Sequence, residues 1–110
     1  MQLVYAIKYV ADMDKAVAFH RDILGLAVRF ASPFWSEFDT GGTTLALHGA
    51  SDEHPAGSVQ LGFRTEDLDA FYTARAANGI AFTQEPAPMH GVRIARFRDC
   101  EGAETSVSGA

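Results

Sequence analysis

An internal repeat restricts the possible folds of this chain more than any other feature. A helical stretch opens at residues 10–14 (VADMD) and ends at Leu24-Gly25, and a second one opens at residues 65–69 (TEDLD) and ends at Asn78-Gly79. Residues 42–50 (GTTLALHGA) align in the same way with residues 102–110 (GAETSVSGA). Self-similarity of this length indicates a duplicated supersecondary unit. We therefore expect two equivalent modules, at about residues 1–50 and 57–110, related by a pseudo-twofold axis, with matched residues converging on a cleft.

Length, charge and cysteine content exclude several classes of protein. At 110 residues and 47% hydrophobic, the chain is long enough for one domain with a buried core. The net charge is −5 and the basic residues are scattered, so neither nucleic acid nor an anionic membrane is an expected partner. No apolar run is long enough to span a bilayer, and the amino terminus does not resemble a signal peptide. The single cysteine, Cys100, predicts a cytoplasmic protein without an internal disulfide.

Hydrophobic period and turn residues predict the order βαβββ twice, an α+β fold. Residues 2–10 are rich in β-branched and aromatic types and predict a strand. Asp12 or Asp14 would cap the first helix and Gly25 would end it. The remaining expected elements are strands at about 26–31, 34–40 and 43–48, a joining loop at 49–57, a strand at 58–64, a helix at 67–78, strands at 80–85, 91–98 and 103–108, and a loop at 86–89.

Two segments carry a resemblance to a known family. Residues 10–26 (VADMDKAVAFHRDILGL) and residues 97–102 (FRDCEG) resemble signatures of the vicinal oxygen chelate superfamily, which contains glyoxalase I, bleomycin-resistance proteins and extradiol dioxygenases. Residues 35–47 (WSEFDTGGTTLAL) also look like many members. The chain departs from the pattern at His20, where Tyr is usual, and at Cys100, where Pro is usual. The resemblance implies two tandem βαβββ modules that form a curved mixed sheet around a cleft.

The resemblance also implies where a divalent metal would bind in metal-dependent members. Carried over by position, the four ligand places fall on Tyr5, Ala46, Gln60 and Ser106. Of these only Gln60 offers a plausible ligand for a hard cation, whereas a catalytic site needs about three protein ligands. We therefore expect no metal and no other cofactor, and no catalytic residue is assigned.

Strand alternation assigns side chains to the two faces of each strand independently of the family. It places Tyr5, Ile7 and Tyr9 on the cleft face and Val4, Ala6 and Val10 on the helix face. On the fourth strand it turns Leu45 and Leu47 to the helix, and Thr44, Ala46 and His48 to the cleft. On the fifth it makes Val59, Leu61 and Phe63 the core face, and on the eighth it sets Glu104, Ser106 and Ser108 opposite Ala103, Thr105 and Val107. The resulting candidate ligand-binding residues are Tyr5, Ile7, Trp35, Ala46, His48, Gln60, Arg64 and Ser106.

Several of these residues have more than one interpretation. His48 is either a polar group in a pocket or an exposed strand end, and Arg64 is either a solvated charge or an anion handle for a ligand. Trp35 could stack on a planar ligand or cover a dimer contact. A shifted set of His48, Gln60 and Glu104 could hold a divalent metal, although its members are displaced in opposite directions. His20, His54 and His90 are expected to be partly exposed helix or solvated loop residues.

The sequence thus favours a metal-free small-molecule-binding protein similar to the bleomycin-resistance branch, which sequesters an aromatic or drug-like ligand in a dimer cleft. The alternative is a lyase, isomerase or dioxygenase with relocated metal ligands, or with metal-free acid–base chemistry from Tyr5, His48 or Arg64. A structural module with a vestigial cleft is the third class. The resemblance and the open sheet edges predict a homodimer.

Overall fold

The computed structural model describes residues Met1–Ala110 and has the α+β fold expected from the sequence, with the order βαβββ twice. In the first module the elements are β1 (Gln2–Val10), α1 (Met13–Ala18), a π-helical turn (Phe19–Ile23), β2 (Ala27–Phe30), β3 (Trp35–Asp39) and β4 (Thr44–Gly49). In the second they are β5 (Val59–Thr65), α2 (Leu68–Thr73), α3 (Arg75–Asn78), β6 (Phe82–Met89), β7 (Val92–Arg98) and β8 (Glu104–Gly109).

Two compact units divide the chain, one formed by Val4–Val59 and the other by Met1–Leu3 together with Gln60–Ala110. The strand order is β2-β3-β4-β1 in the first and β5-β8-β7-β6 in the second. In each, the first and last strands of the module form a parallel pair at one end of this order (β1 with β4, β5 with β8), and the remaining neighbours are antiparallel. The expected mixed sheet and the duplicated topology are therefore confirmed.

The repeat extends to the backbone at the helix ends. Asp12 and Asp67 both adopt extended backbone, and each side chain accepts a hydrogen bond from the amide three residues later. These carboxylates satisfy amide groups that the first helical turn leaves without a partner. Gly25 has a positive φ of 70°, which confirms the left-handed turn expected after the first helix, and Gly79 repeats it with a φ of 67°.

Three local features differ from the expectation. The first helix changes to π-helix at Phe19, and the second is divided at Ala74 into α2 and α3. The segment 86–89, expected to be a loop, belongs to β6. Strand β6 is an edge strand whose pairing with β7 shifts between Gln84 and Ala87, and this position tolerates proline because an edge strand leaves amide groups unpaired.

Two clusters of side chains occupy the opposite faces of the strands in Val4–Val59. On the helix face, Val17 packs with Phe38 and Leu47, and Val10 and Leu45 join them. On the other face, a second cluster gathers Tyr5, Ile7, Tyr9, Trp35 and Ala46. The faces assigned to β1 and β4 from the sequence are confirmed.

In the other unit, α2 packs on β7 and β8 through a cluster of Leu68, Ala95 and Val107, which Phe63 also contacts. Val59 and Leu61 were expected to share this core with Phe63, and that expectation is wrong, since they are 58% and 41% exposed. Alternation along a strand predicts which face a side chain occupies, but it does not predict how much of that face a helix covers. The cluster beneath α2 reaches Phe63 and does not reach Val59 or Leu61. None of the helices has the length and apolar content needed to cross a bilayer.

Candidate functional site

Aromatic rings line the face of β1, β3 and β4 opposite α1. The rings of Tyr5 and Trp35 meet edge to face at 5.9 Å, and Trp35 meets His48 in the same manner at 5.9 Å. The ring of Tyr9 lies 5.2 Å from His48 and stacks on His54 at 4.4 Å with an interplanar angle of 12°. We call these five residues the aromatic face. Strand pairing explains the order, because Trp35 lies opposite His48 and His48 lies opposite Tyr9.

A carboxylate lies among these rings. Glu37 follows Trp35 by two residues on β3, so both side chains lie on the same face. Its Oε2 accepts a hydrogen bond of 2.8 Å from the indole Nε1 of Trp35 and one of 3.4 Å from the Tyr5 hydroxyl. The Glu37 side chain is 19% exposed. The aromatic face therefore holds an acidic group that two ring donors orient and that solvent still reaches.

Arg29 partly balances this charge. Its guanidinium lies 3.6 Å from Glu37 Oε1 and 3.7 Å from a carboxylate oxygen of Asp39, and it donates a hydrogen bond of 2.8 Å to the Thr44 hydroxyl. Arg29 has no pairing partner on β3, because the register shifts between Val28 and Phe30. A bulge of this kind redirects a side chain. One guanidinium thus faces two carboxylates, which leaves this group of side chains with a net negative charge.

Burial raises the pKa of the Tyr5 hydroxyl above its ordinary value of 10.0, and the negative charge of Glu37 and its hydrogen bond with Tyr5 raise it further. The nearby Arg29 acts in the opposite direction with a smaller effect. Tyr5 is therefore a neutral hydrogen-bond donor at physiological pH. It is a poor general base.

His48 is held at the exposed end of this face. Its Nδ1 lies 2.8 Å from the backbone oxygen of Gly49, and a carbonyl oxygen can only accept a hydrogen bond, so Nδ1 carries the hydrogen. In the neutral ring Nε2 is then an acceptor. The side chain is exposed, as one of the two interpretations expected, and it packs edge to face on Trp35. A role for His48 in a ligand pocket stays a prediction.

The other candidates differ in accessibility. Ile7 is 9% exposed and Ala46 has no exposed surface, so both support the rings from below. Gln60, Arg64 and Ser106 belong to the second unit, where Gln60 is buried, Ser106 is half-buried and Arg64 is exposed. The alternative metal site formed by His48, Gln60 and Glu104 stays an untested hypothesis.

The residues at the four metal positions implied by the family do not suit a divalent ion. Ala46 has no donor atom, and the Tyr5 hydroxyl keeps its proton and donates a hydrogen bond to Glu37. Neither Gln60 nor Ser106 carries a charge that would offset the dehydration of a cation. Neither unit contains a group of three His, Cys, Asp or Glu side chains that could hold a metal ion.

The sequence interpretation missed Glu37, Arg29 and the role of His54. The signal for Glu37 is its two-residue spacing from Trp35, which places both side chains on one face of β3. The bulge at Arg29 has no sequence signal. His54, expected to be a solvated loop residue, is half-buried against Tyr9, and His20, expected to be partly exposed, is 5% exposed with its Nδ1 2.7 Å from the backbone oxygen of Ala16.

Comparisons with known proteins agree with this fold. Residues 2–107 match the family model of the Glyoxalase/Bleomycin resistance protein/Dioxygenase superfamily, and the chain belongs to this superfamily. It is 31% identical over 121 aligned positions to "Uncharacterized protein YurT" of Bacillus subtilis (strain 168). The alignment covers 93% of this chain and 94% of the relative.

Solved structures share the architecture at low sequence identity. The methylmalonyl-CoA epimerase of Mycobacterium tuberculosis has a TM-score of 0.80 at 21% identity, over 98% of this chain and 87% of its own. A glyoxalase/bleomycin resistance protein/dioxygenase superfamily member from Vibrio splendidus 12B01 has a TM-score of 0.70 at 19% identity, over 98% and 97%. At these identities the likeness extends to the fold and not to the activity.

Proposed function

We propose that this protein binds a small aromatic or drug-like molecule without a metal, with the ligand's ring on the aromatic face and a polar group of the ligand on Glu37. The observation that carries this proposal is the position of the Glu37 carboxylate, which Trp35 and Tyr5 orient while part of its surface stays open to solvent. Ligand sites in proteins commonly combine aromatic walls with a few fixed polar groups.

The aromatic face suits a planar ligand for energetic reasons. Aromatic pairs contribute about 0.5–1.5 kcal/mol beyond the area they bury, and rings held against one another lose little freedom when a ligand arrives. Trp35 and His48 are fixed by hydrogen bonds to Glu37 and Gly49 respectively. The net negative charge around Glu37 and Asp39 favours a ligand with a hydrogen-bond donor or a positive charge.

Metal-free binding is supported by the donor chemistry at the family's metal positions. Ala46 cannot coordinate, and the carboxylate opposite it on the neighbouring strand, Glu37, already accepts hydrogen bonds from Trp35 and Tyr5. We propose no cofactor. A reducing cytoplasm is the proposed location, because the sole cysteine, Cys100, is an exposed free thiol.

The test uses the single tryptophan as its reporter. Purified protein, checked for metal content, is titrated with bleomycin, with 9-aminoacridine and with a panel of aromatic amines, while Trp35 fluorescence and binding heat are recorded. We expect saturable binding by metal-depleted protein, weakened several-fold by Tyr5→Phe and by Glu37→Gln. The matched controls Tyr72→Phe and Glu85→Gln remove the same groups elsewhere, and they should leave binding unchanged.

Two results would overturn the proposal. The first is iron, zinc, nickel or manganese at one ion per chain, with binding that is lost on chelation. The second is a panel in which no compound changes Trp35 fluorescence or in which the control variants weaken binding as much as Tyr5→Phe does.

An acid–base enzyme is the second candidate, and the contact between Tyr5 and Glu37 favours it. A neutral tyrosine that donates to a carboxylate could protonate an enolate oxygen while the carboxylate moves a proton at the adjacent carbon. The test is exchange of carbon-bound α-protons of carbonyl compounds with deuterated water. Exchange that the protein accelerates and that Tyr5→Phe abolishes would favour this candidate over simple binding.

We also propose a homodimer as the assembled state. Several large apolar side chains remain exposed on the first unit, and a partner chain that covered them would remove apolar surface from water. They are Phe19, Ile23, Leu24, Val28, Phe30 and Phe34.

A further inference from the structure

A separate depression of about 690 Å³ lies on the unit formed by Met1–Leu3 and Gln60–Ala110. Its wall includes Arg64 from the end of β5, Ser108 from β8 and Val92 from the start of β7. Arg64 and Ser108 lie directly opposite each other in the pairing of β5 with β8. The volume falls within the range of about 300–1,000 Å³ that is typical of sites for small organic molecules.

Arg64 keeps an unneutralised charge at this depression. Its Nη2 donates a hydrogen bond of 2.8 Å to the side-chain oxygen of Gln2, which is a neutral acceptor. Arg93, which also lines the depression, is instead paired with Asp69 through two hydrogen bonds of 2.7 and 3.1 Å. A guanidinium offers five N–H donors, so the bond to Gln2 leaves most of the Arg64 fork available.

We propose that Arg64 binds a small organic carboxylate in this depression. A guanidinium and a carboxylate match in a planar, two-bond geometry, and Val92, which is 52% exposed, offers apolar surface to the body of such a ligand. A phosphate group, with nearly twice the charge, favours a second cationic side chain, and the other guanidinium on the lining, Arg93, is already neutralised by Asp69.

This proposal is independent of the proposed function. None of the residues that line the depression belongs to the aromatic face. Glu66 supplies an acidic side chain to the lining, and it is exposed. Its negative charge repels a carboxylate ligand, so replacing Glu66 by a neutral residue should raise the affinity for such a ligand.

The experiment is an NMR titration of the full chain with benzoate as the probe and benzamide as its neutral control. We expect benzoate to shift the backbone amide signals of Gly91, Val92 and Gly109 saturably, and benzamide to leave them unshifted. Arg64→Gln should weaken benzoate binding by about tenfold or more, Arg64→Lys should retain part of it, and Glu66→Gln should strengthen it. The matched control is Arg98→Gln, because Arg98 is also exposed and bonded to a neutral carbonyl but lies outside the depression.

The proposal fails if benzoate binding is unchanged in Arg64→Gln, or if Arg98→Gln weakens it equally, since a general charge effect would then explain the affinity. It also fails if inorganic phosphate binds at these amides at least as tightly as benzoate. Shifts confined to Tyr5, Trp35 and His48 would overturn it while supporting the aromatic face as the ligand site. Retained binding in Arg64→Lys shows that loss in Arg64→Gln does not come from misfolding.

Discussion

The indole Nε1 of Trp35 donates a hydrogen bond of 2.8 Å to Oε2 of Glu37, the next residue on the same face of β3. The same oxygen accepts from Tyr5, and the other carboxylate oxygen faces Arg29. Glu37 therefore joins three strands through polar contacts on a face that is otherwise aromatic. We therefore expect substitution of Glu37 to change both the stability of the fold and the proposed ligand binding.

Replacing Glu37 by Ala should lower the free energy of unfolding by about 1–3 kcal/mol, because partly buried donors on Trp35 and Tyr5 lose their acceptor. Urea denaturation followed by circular dichroism measures this change. Glu85→Ala, at an exposed position on β6, is the control and should stay within about 0.5 kcal/mol of the unaltered protein. Equal effects of the two substitutions would mean that the Glu37 contacts contribute nothing to folding.

Tyr5 predicts a change of stability with pH. Its pKa is raised in the folded protein, so the folded state holds the phenolic proton more tightly than the unfolded chain does. This contribution is fully present below the ordinary pKa of 10.0 and is lost as the pH rises through the folded value. Ultraviolet titration of the three tyrosines should show Tyr5 ionising above its ordinary value, with a lower pKa in Glu37→Gln and a higher one in Arg29→Gln. The opposite order of the two variants would contradict the assigned causes.

The duplicated fold could be predicted from the sequence because its signals are local. Asp12 and Asp67 each precede an apolar helical period, and Gly25 and Gly79 each follow one, so caps and periods agree at both ends. The proline-containing end of β6 could not be predicted. Proline normally indicates a loop, and only the position of β6 at a sheet edge makes it compatible with a strand.

The candidate site was predictable only where strand alternation sufficed. Alternation places Tyr5 and His48 on one face, and the aromatic contacts confirm that they share it with Trp35. The position of Arg29 depends on a bulge and that of His54 on the path of a loop, and neither leaves a pattern in the sequence. Polar contacts between strands are set by register, which a single sequence does not specify.

The two helix caps should contribute equally to stability if the modules are equivalent. Asp12→Ala and Asp67→Ala should each lower the free energy of unfolding by about 0.5–2 kcal/mol, whereas the Asn variants should retain most of it, since Asn also accepts at this position. Urea denaturation of the four variants measures this. Asp14→Ala, which removes a charge from the first turn of α1 without removing the cap, is the control and should cost less.

Gly109 should not accept a side chain. A Cβ atom there would lie 2.6 Å from the backbone oxygen of Thr65 and 3.1 Å from Cβ of Leu68, so either β5 or the start of α2 must shift. Gly109→Ala should therefore lower the free energy of unfolding by about 1–3 kcal/mol. Gly49→Ala is the matched control, at the end of β4 with nothing within 4 Å of the added methyl group, and it should be close to neutral. Equal thermal stability of the two variants would show that the backbone at Gly109 relaxes freely.

The exposed apolar side chains of the first unit predict the response of the proposed homodimer to substitution. Light scattering coupled to gel filtration should give a mass of about twice 11.9 kDa for the unaltered protein. Phe30 on edge strand β2 is 53% exposed, and a charge at this position should shift the equilibrium towards single chains because it would be desolvated in an apolar contact. We therefore expect Phe30→Lys to lower the mass, and Val92→Lys, at an equally exposed apolar residue of the other unit, to leave it unchanged. A mass of one chain for the unaltered protein at micromolar concentration would contradict the dimer. A loss of mass in Val92→Lys alone would move the contact to the second unit.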